Sequence, residues 1–367
     1  MTAPTATEIN TDAMLADLKT LVEIESPSRD LEALDLSAKA VARIIEARLG
    51  GKAVLVESEA GPHVHWKGDG EPKVLILGHH DTVFPLGTLE RRPFQVKDGH
   101  ATGPGVFDML GGLVQAVHAL GSLPDRSGVE ILMSADEEVG SRASRALIEE
   151  RALACGAVLV LEGAADGGAI KTGRKGCGTF HVDIAGRASH AGLEPEAGVN
   201  ALIEASHQVI EITGIGRPEI GTTVTPTVAT AGTTDNVVPA EAKVVVDVRV
   251  ESADEKDRVE AAFAALRPHL AEAGVTVSGG VNRPPMPESA SAELFAIARD
   301  VLPGVQGTSV GGGSDGNFTA AIGVPTLDGL GAVGGGAHAD HEYLIVDMMD
   351  ERASLVAGLV ATLQRRD

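Results

Sequence analysis

Cysteine is nearly absent: Cys155 and Cys177 are the only two in 367 residues. That excludes a disulfide framework, and both are read as free thiols. Aromatic residues make up 2% of the chain, so its core must be built from Val, Leu, Ile and Ala. Basic residues are in the minority, 30 Lys and Arg against 52 Asp and Glu, for a net charge of −22. Nucleic acid and anionic membrane are therefore excluded as partners, because the chain offers no field for phosphates. The plain meaning of the charge is solubility. No uninterrupted apolar run approaches membrane-spanning length. The opening segment, Met1 to Asn10, is polar and has no apolar stretch of the signal-peptide kind, so a cytoplasmic protein is the expectation. Glycine and hydrophobic residues are abundant (45 Gly, 43% hydrophobic), as in a globular chain of about two domains.

Apolar spacing predicts helices over Met14–Ile24 and Ala33–Leu49. Short apolar strands then alternate with helical segments at Gly111–Leu120 and Ser141–Ala154, which implies a mostly parallel sheet covered by helices. The pattern changes after Thr172. A strand at Thr179–Ile184, a helix at Val199–Ile212, strands at Thr222–Ala231 and Ala242–Val250, a helix at Glu255–Ala271 and a strand at Val275–Val277 follow. That order, βαββαβ, is the pattern of a small two-layer α+β sandwich. Pro284-Pro285-Met286-Pro287 reads as a linker, after which the first pattern resumes through Val324–Leu327 to a helix at Glu351–Arg365. The fold class is thus α/β, with residues 174–286 inserted as a second domain between 1–173 and 287–367.

Four acidic or histidine motifs sit where an apolar run ends or a glycine turn begins. Val74–Gly78 runs into His79-His80-Asp81; Gly103-Pro104-Gly105 leads to Asp108; Ile131–Ala135 leads to Asp136-Glu137-Glu138; Val158–Leu161 stops at Glu162. His338 lies downstream in a glycine-rich stretch. His, Asp and Glu without cysteine form a ligand set suited to zinc, cobalt or manganese. Strand ends of a parallel sheet converge on one crevice, so these residues can meet there. They are too many for one tetrahedral ion and suit two ions sharing a carboxylate.

The five motifs, in this order over nearly the whole chain, resemble the zinc-dependent aminoacylase and carboxypeptidase family. It includes glutamate carboxypeptidase, acetylornithine deacetylase, succinyl-diaminopimelate desuccinylase and peptidase T. The resemblance implies two zinc ions per chain, replaceable by cobalt or manganese, beneath an inserted lid and dimerisation domain. It also implies cleavage of an amide next to a free carboxylate, by a water held between the ions. His79, Asp108, Glu138, Glu162 and His338 match the family's metal ligands: His79 with Glu162 on one ion, Glu138 with His338 on the other, Asp108 bridging. Glu137 matches the general base. Asp81, two residues beyond His79 along an extended strand, faces the same way and is expected to accept from the second imidazole nitrogen; His80 points away as a bystander. Adjacent acids in extended backbone diverge, so Glu138 can ligate while Glu137 faces the water. An Asp before Gly111 also suits a helix N-cap. In relatives the peptide after the bridging Asp is cis, and the family commonly has Lys where this chain has Leu110.

Ser189-His190 matches the lid motif whose His serves the partner subunit's active site in dimeric relatives. Asn236 and Arg249 match residues that hold substrate, and Arg is apt because its planar fork can grip both oxygens of a carboxylate. The Gly311-Gly312-Gly313 loop is expected to line the substrate pocket with backbone N–H groups. The implied partners are a small peptide or N-acyl amino acid and a second copy of the chain. The glutamate carboxypeptidase branch is the nearer likeness; acetylornithine- or succinyl-diaminopimelate-type deacylation is the alternative. A rival is a serine hydrolase, since Gly312-Gly313-Ser314-Asp315-Gly316 satisfies G-x-S-x-G with His338 as base and Asp328 or Asp340 behind it. That reading leaves Asp108, Glu137, Glu138 and Glu162 without employment. A metal-binding protein without turnover is weaker still, because it gives Glu137 no duty.

Overall fold

The computed structural model describes residues 8–366. Most of the Met1–Asn10 segment read for a signal peptide lies outside the described residues. Two compact units are present. One takes the chain up to Gly173 together with Met286–Val310 and Ser314 onward; the other comprises Arg174–Pro285 and Gly311–Gly313.

The first unit opens with helices α1 (Thr11–Val22) and α2 (Leu31–Leu49), begun by Asn10 and Asp30, whose side chains accept from the first-turn N–H of Ala13 and Ala33. Strands β1 (Val54–Val56), β2 (His63–Lys67) and β3 (Val74–His79) follow, then α3 (Gly111–Ser122), β4 (Val129–Ser134), α4 (Arg145–Cys155) and β5 (Val158–Val160). The second unit contributes β6 (Gly176–Ala185), α5 (Ala201–Thr213), β7 (Thr223–Ala231), β8 (Glu241–Val250), α6 (Ala253–Ala265) and β9 (Gly274–Arg283). The first unit then resumes with α7 (Glu288–Val301), β10 (Thr326–Leu327) and α8 (Met349–Gln364).

Six strands of the first unit form one sheet in the order β1-β2-β4-β3-β5-β10. The four from β4 to β10 run parallel, and β1 and β2 are an antiparallel edge. The apolar runs are continuous rather than alternating because both faces are covered. Val74 and Ile76 of β3 pack into the large core formed with α1, α2, α3 and α8, while Leu75 and Leu77 pack with α4. Each such side chain, fully buried, contributes about 1.5–3 kcal/mol.

The second unit is an antiparallel sheet in the order β7-β8-β6-β9, with α5 and α6 packed on one face. Its Val-rich strands alternate as a half-buried sheet should, and Phe180 stacks on Phe263 at 3.8 Å between ring centroids. Helix α6 ends at Ala265, short of the expected Ala271, because the backbone preceding Pro268 is driven out of helical geometry. The closing strand is longer than the expected Val275–Val277, since β9 follows β6 almost to its start.

Candidate metal centre

Strands β3, β4 and β5 end side by side, and their parallel direction places the residues that follow them in one place. His79 is the last residue of β3, Glu137 and Glu138 follow β4, and Glu162 follows β5. Asp108 precedes α3 in a tight segment whose approach needs glycine. Gly105 has φ of 76°, and a β-carbon there would lie 2.7 Å from Thr82 Cγ2. A side chain on Gly163, beside Glu162, would meet the Phe107 ring at 2.3 Å. The Asp108–Met109 peptide is cis, as the resemblance implies.

Asp108 offers its two oxygens to two imidazoles. Oδ1 lies 3.4 Å from His79 Nε2, and Oδ2 lies 3.4 Å from His338 Nε2. His79 Nε2 is also 3.7 Å from Glu162 Oε1, and His338 Nε2 is 3.0 Å from Glu138 Oε2. Candidate ligand atoms of His79, Asp108 and Glu138 lie within 4.8 Å of one another, as do those of His79, Glu137 and Glu162. His338 reaches in from a left-handed backbone position (φ 62°) that residues with a β-carbon rarely adopt.

The arrangement fits divalent cations. His79 Nε2 and Glu138 Oε1 are buried yet have no hydrogen-bond partner, a costly state that a cation would relieve. Burial opposes charge on His79, but the carboxylates of Asp108 and Asp81 outweigh it and raise its pKa well above normal. Hydrogen bonds to Asp108 and Glu138 push His338 up to about 10. Burial alone would raise Asp108, yet His338 and His79 hold it below the usual carboxylate range. Glu138 is raised, chiefly by burial. Protons on the imidazoles thus balance the acids where cations could do so.

Three expected details are corrected. His79 Nδ1 bonds the Asp81 backbone carbonyl at 2.9 Å, with the carboxylate farther at 3.4 Å. Strand β3 stops at His79, so the same-face rule for i and i+2 no longer applies at Asp81. The Asp81 carboxylate instead accepts from the backbone N–H groups of Glu137 and Glu138, both at 3.2 Å, and from the Ser28 hydroxyl at 2.7 Å. Second, Glu137–Val139 is a 3₁₀ turn rather than extended chain, and the adjacent acids diverge through the rotation per residue of that turn. Third, Asp108 caps no helix; Leu110 precedes α3 and is buried in the core. His80 is structural, its ring nitrogens satisfied by Ser37 and the Pro62 carbonyl, with burial lowering its pKa to about 4.

The serine-hydrolase rival fails on geometry. Ser314 is fully buried, and its hydroxyl donates to Asp328 at 2.5 Å while accepting from Gly316 N–H. His338 lies against Asp108 and Glu138 instead.

In the second unit, His190 is exposed, and its Nδ1 accepts from the N–H groups of Gly192 and Leu193, both at 3.1 Å. With Nδ1 occupied as an acceptor, Nε2 is the ring nitrogen placed to donate. Asn236 is brought beside it, since its carbonyl accepts from Ala191 N–H at 3.0 Å. Arg249 grips Asp247 with two bonds of 3.0 and 2.9 Å. The Gly312 carbonyl of the Gly311–Gly313 loop accepts from the buried Arg174.

Sequence reasoning missed Glu342. It is fully buried, and its carboxylate accepts from the N–H groups of Gly105, Phe107 and Asp108 at 2.8, 3.0 and 2.9 Å. Burial pushes its pKa up to about 7 against the pull of those three donors. No motif marks it; the signal in sequence is only an acid directly before the apolar strand residues Tyr343–Ile345.

The profile of peptidase family M20/M25/M40 matches residues 75–362. Carboxypeptidase G2 of Pseudomonas sp. (strain RS-16) is 33% identical over 96% of this chain and 89% of that protein. Succinyl-diaminopimelate desuccinylase of Caulobacter vibrioides is 27% identical over 51% of this chain and 53% of its own. The crystal structure of aminopeptidase PepT from Bacillus cereus has the same fold, with a TM-score of 0.76 at 21% identity over 97% of this chain and all of that one. With the whole run of site motifs inside the matched segment, the chain belongs to peptidase family M20/M25/M40 and is a hydrolytic enzyme.

Proposed function

We propose that the protein is a metal-dependent, carboxypeptidase-like hydrolase of small peptides or N-acyl amino acids, cleaving an amide next to a free carboxylate. The observation that carries this is Asp108, one carboxylate facing His79 through one oxygen and His338 through the other. Two divalent ions, zinc by ligand type, would be held by His79, Glu162 and Asp108 and by Asp108, Glu138 and His338. Such ions supply Lewis acidity and make a nearby water more acidic.

The chain's own residues do the rest. Asp81 fixes the backbone of Glu137 and Glu138 together, so that base and ligand keep a constant separation. The Glu137 carboxylate takes a proton from the attacking water and returns it to the leaving nitrogen. His190, its tautomer set by Gly192 and Leu193, donates from Nε2 to the developing oxyanion. Arg249, Asn236 and the Gly311–Gly313 loop hold the substrate carboxylate. Arg249 is already ordered by Asp247, which lowers the cost of presenting the rest of its fork.

The working form is a homodimer through the second unit. Strand β7 is an edge of its sheet with most side chains exposed, and α5 exposes Leu202, Ile203 and Ile210. An open edge beside exposed apolar residues is an association surface. Among the described residues no helix is long and apolar enough to cross a membrane.

The likeness to carboxypeptidase G2 favours carboxypeptidase-type cleavage over the desuccinylase-type deacylation that the second relative suggests, and the motif resemblance to the glutamate carboxypeptidase branch points the same way. The test is a panel of N-acyl amino acids and dipeptides with free and amidated C-termini, run on zinc-loaded protein. Cleavage confined to free carboxylates supports the proposal. Equal cleavage of amidated substrates overturns it.

A further inference from the structure

Glu342 follows His338 by four residues, and its carboxylate closes on the backbone that carries Asp108. The delivery is built into a small sheet: Tyr343–Ile345 pairs antiparallel with His100–Thr102, the strand that leads into Gly103-Pro104-Gly105. Three N–H groups converge on it, Gly105 to one oxygen and Phe107 and Asp108 to the other. Only a carboxylate satisfies all three, because a glutamine amide would turn a donor toward at least one of them. Buried charge-assisted bonds of this kind are the strong ones.

We propose that Glu342 is a positioning residue for the metal centre. It fixes the direction of the Asp108 carboxylate and ties that direction to the segment bearing His338, so that both halves of the centre are set by one buried acid. This rests on the metal reading above. A group that touches no reacting atom is thereby expected to control metal affinity.

The test uses the full chain, wild type and Glu342→Gln, in metal-free and zinc-loaded forms. Two quantities are read: amide hydrogen exchange at Gly105, Phe107 and Asp108, and zinc affinity by competition with a chelating indicator. In Glu342→Gln, exchange at those amides should accelerate at least tenfold while strands β3, β4 and β5 keep their protection. Zinc affinity should fall at least tenfold. A purely structural role would loosen the sheet generally and is thereby separated. Glu342→Asp, which keeps the charge but shortens the reach, should move both readouts the same way by less, and serves if the glutamine variant does not fold. Unchanged exchange at the three amides overturns the proposal, and so does accelerated exchange with unchanged zinc affinity. Should wild type bind no zinc, the metal reading fails, while the exchange result still decides whether Glu342 anchors the loop.

Discussion

The first unit gathers its candidate acids and His79 into a largely buried cluster that His338 reaches from an exposed turn, whereas the second presents its candidates on exposed turns and, for Arg249, on a half-buried strand. Glu137 and Glu162 are buried, and backbone N–H groups or neighbouring charges fix the acids around them. His190 and Asn236 are exposed; the His190 ring accepts from N–H groups of its own turn, and the Asn236 backbone carbonyl accepts from Ala191 N–H. Burying several acids together is expensive unless cations or imidazoles compensate, so that arrangement persists only where it is used. Exposed turn residues carry no such cost, and their geometry becomes informative only with a ligand or a second subunit. The centre should therefore be preorganised and intolerant. The second unit should tune rate and selectivity.

The largest effect expected is at Glu137. Glu137→Gln should keep its metal and lose about 10²–10⁴-fold in turnover, the size of general-base catalysis. Glu138→Gln should lose metal. Equal metal loss in both variants, read by elemental analysis, would erase the distinction between base and ligand. His190→Ala should follow with a loss of about 10²–10³-fold in kcat, the scale of an oxyanion donor, at full metal content. Hybrid dimers of His190→Ala and Glu137→Gln should recover activity if His190 serves the partner subunit. Absence of rescue despite demonstrated subunit exchange counts against that. Arg249→Ala should cost at least tenfold in kcat/KM, since a charge-assisted bond contributes about 1.5–3 kcal/mol. It should also discriminate poorly between free and amidated C-termini. Kinetics like the wild type's would leave Arg249 as a partner of Asp247 alone.

The smallest effect is a proton. His338 is raised to about 10, so metal-free protein holds a proton there at neutral pH that ligation must displace. Zinc binding should release protons, and apparent affinity should weaken as pH falls. Calorimetry in buffers of different ionisation enthalpy reads this directly.

Most of the metal centre was legible because a strand end after an apolar run is a position with a physical meaning. His79, the Asp136-Glu137-Glu138 triplet and Glu162 stand at such ends, and Asp108 follows a glycine approach that its backbone requires. Helices announced by apolar periodicity were visible too, as with α2, expected over Ala33–Leu49 and found over Leu31–Leu49. What was illegible is whatever depends on where a strand stops. The bond from His79 to the Asp81 carbonyl follows from β3 ending at His79, two residues short of where the same-face rule needs it. The 3₁₀ turn at Glu137 depends on the Asp81 carboxylate, a contact distant in sequence. Glu342 was invisible because its duty is to backbone N–H groups more than two hundred residues away, and backbone donors leave no mark in a sequence.

The most direct measurement follows metal content and activity in the same samples as zinc is titrated into chelator-treated protein, with an acyl-amino acid as substrate. Activity should be absent at the start, rise with occupancy and saturate near two ions per chain, as a shared carboxylate between two sites requires. Full activity in metal-free protein, abolished by a serine-directed reagent, would contradict the metal centre outright.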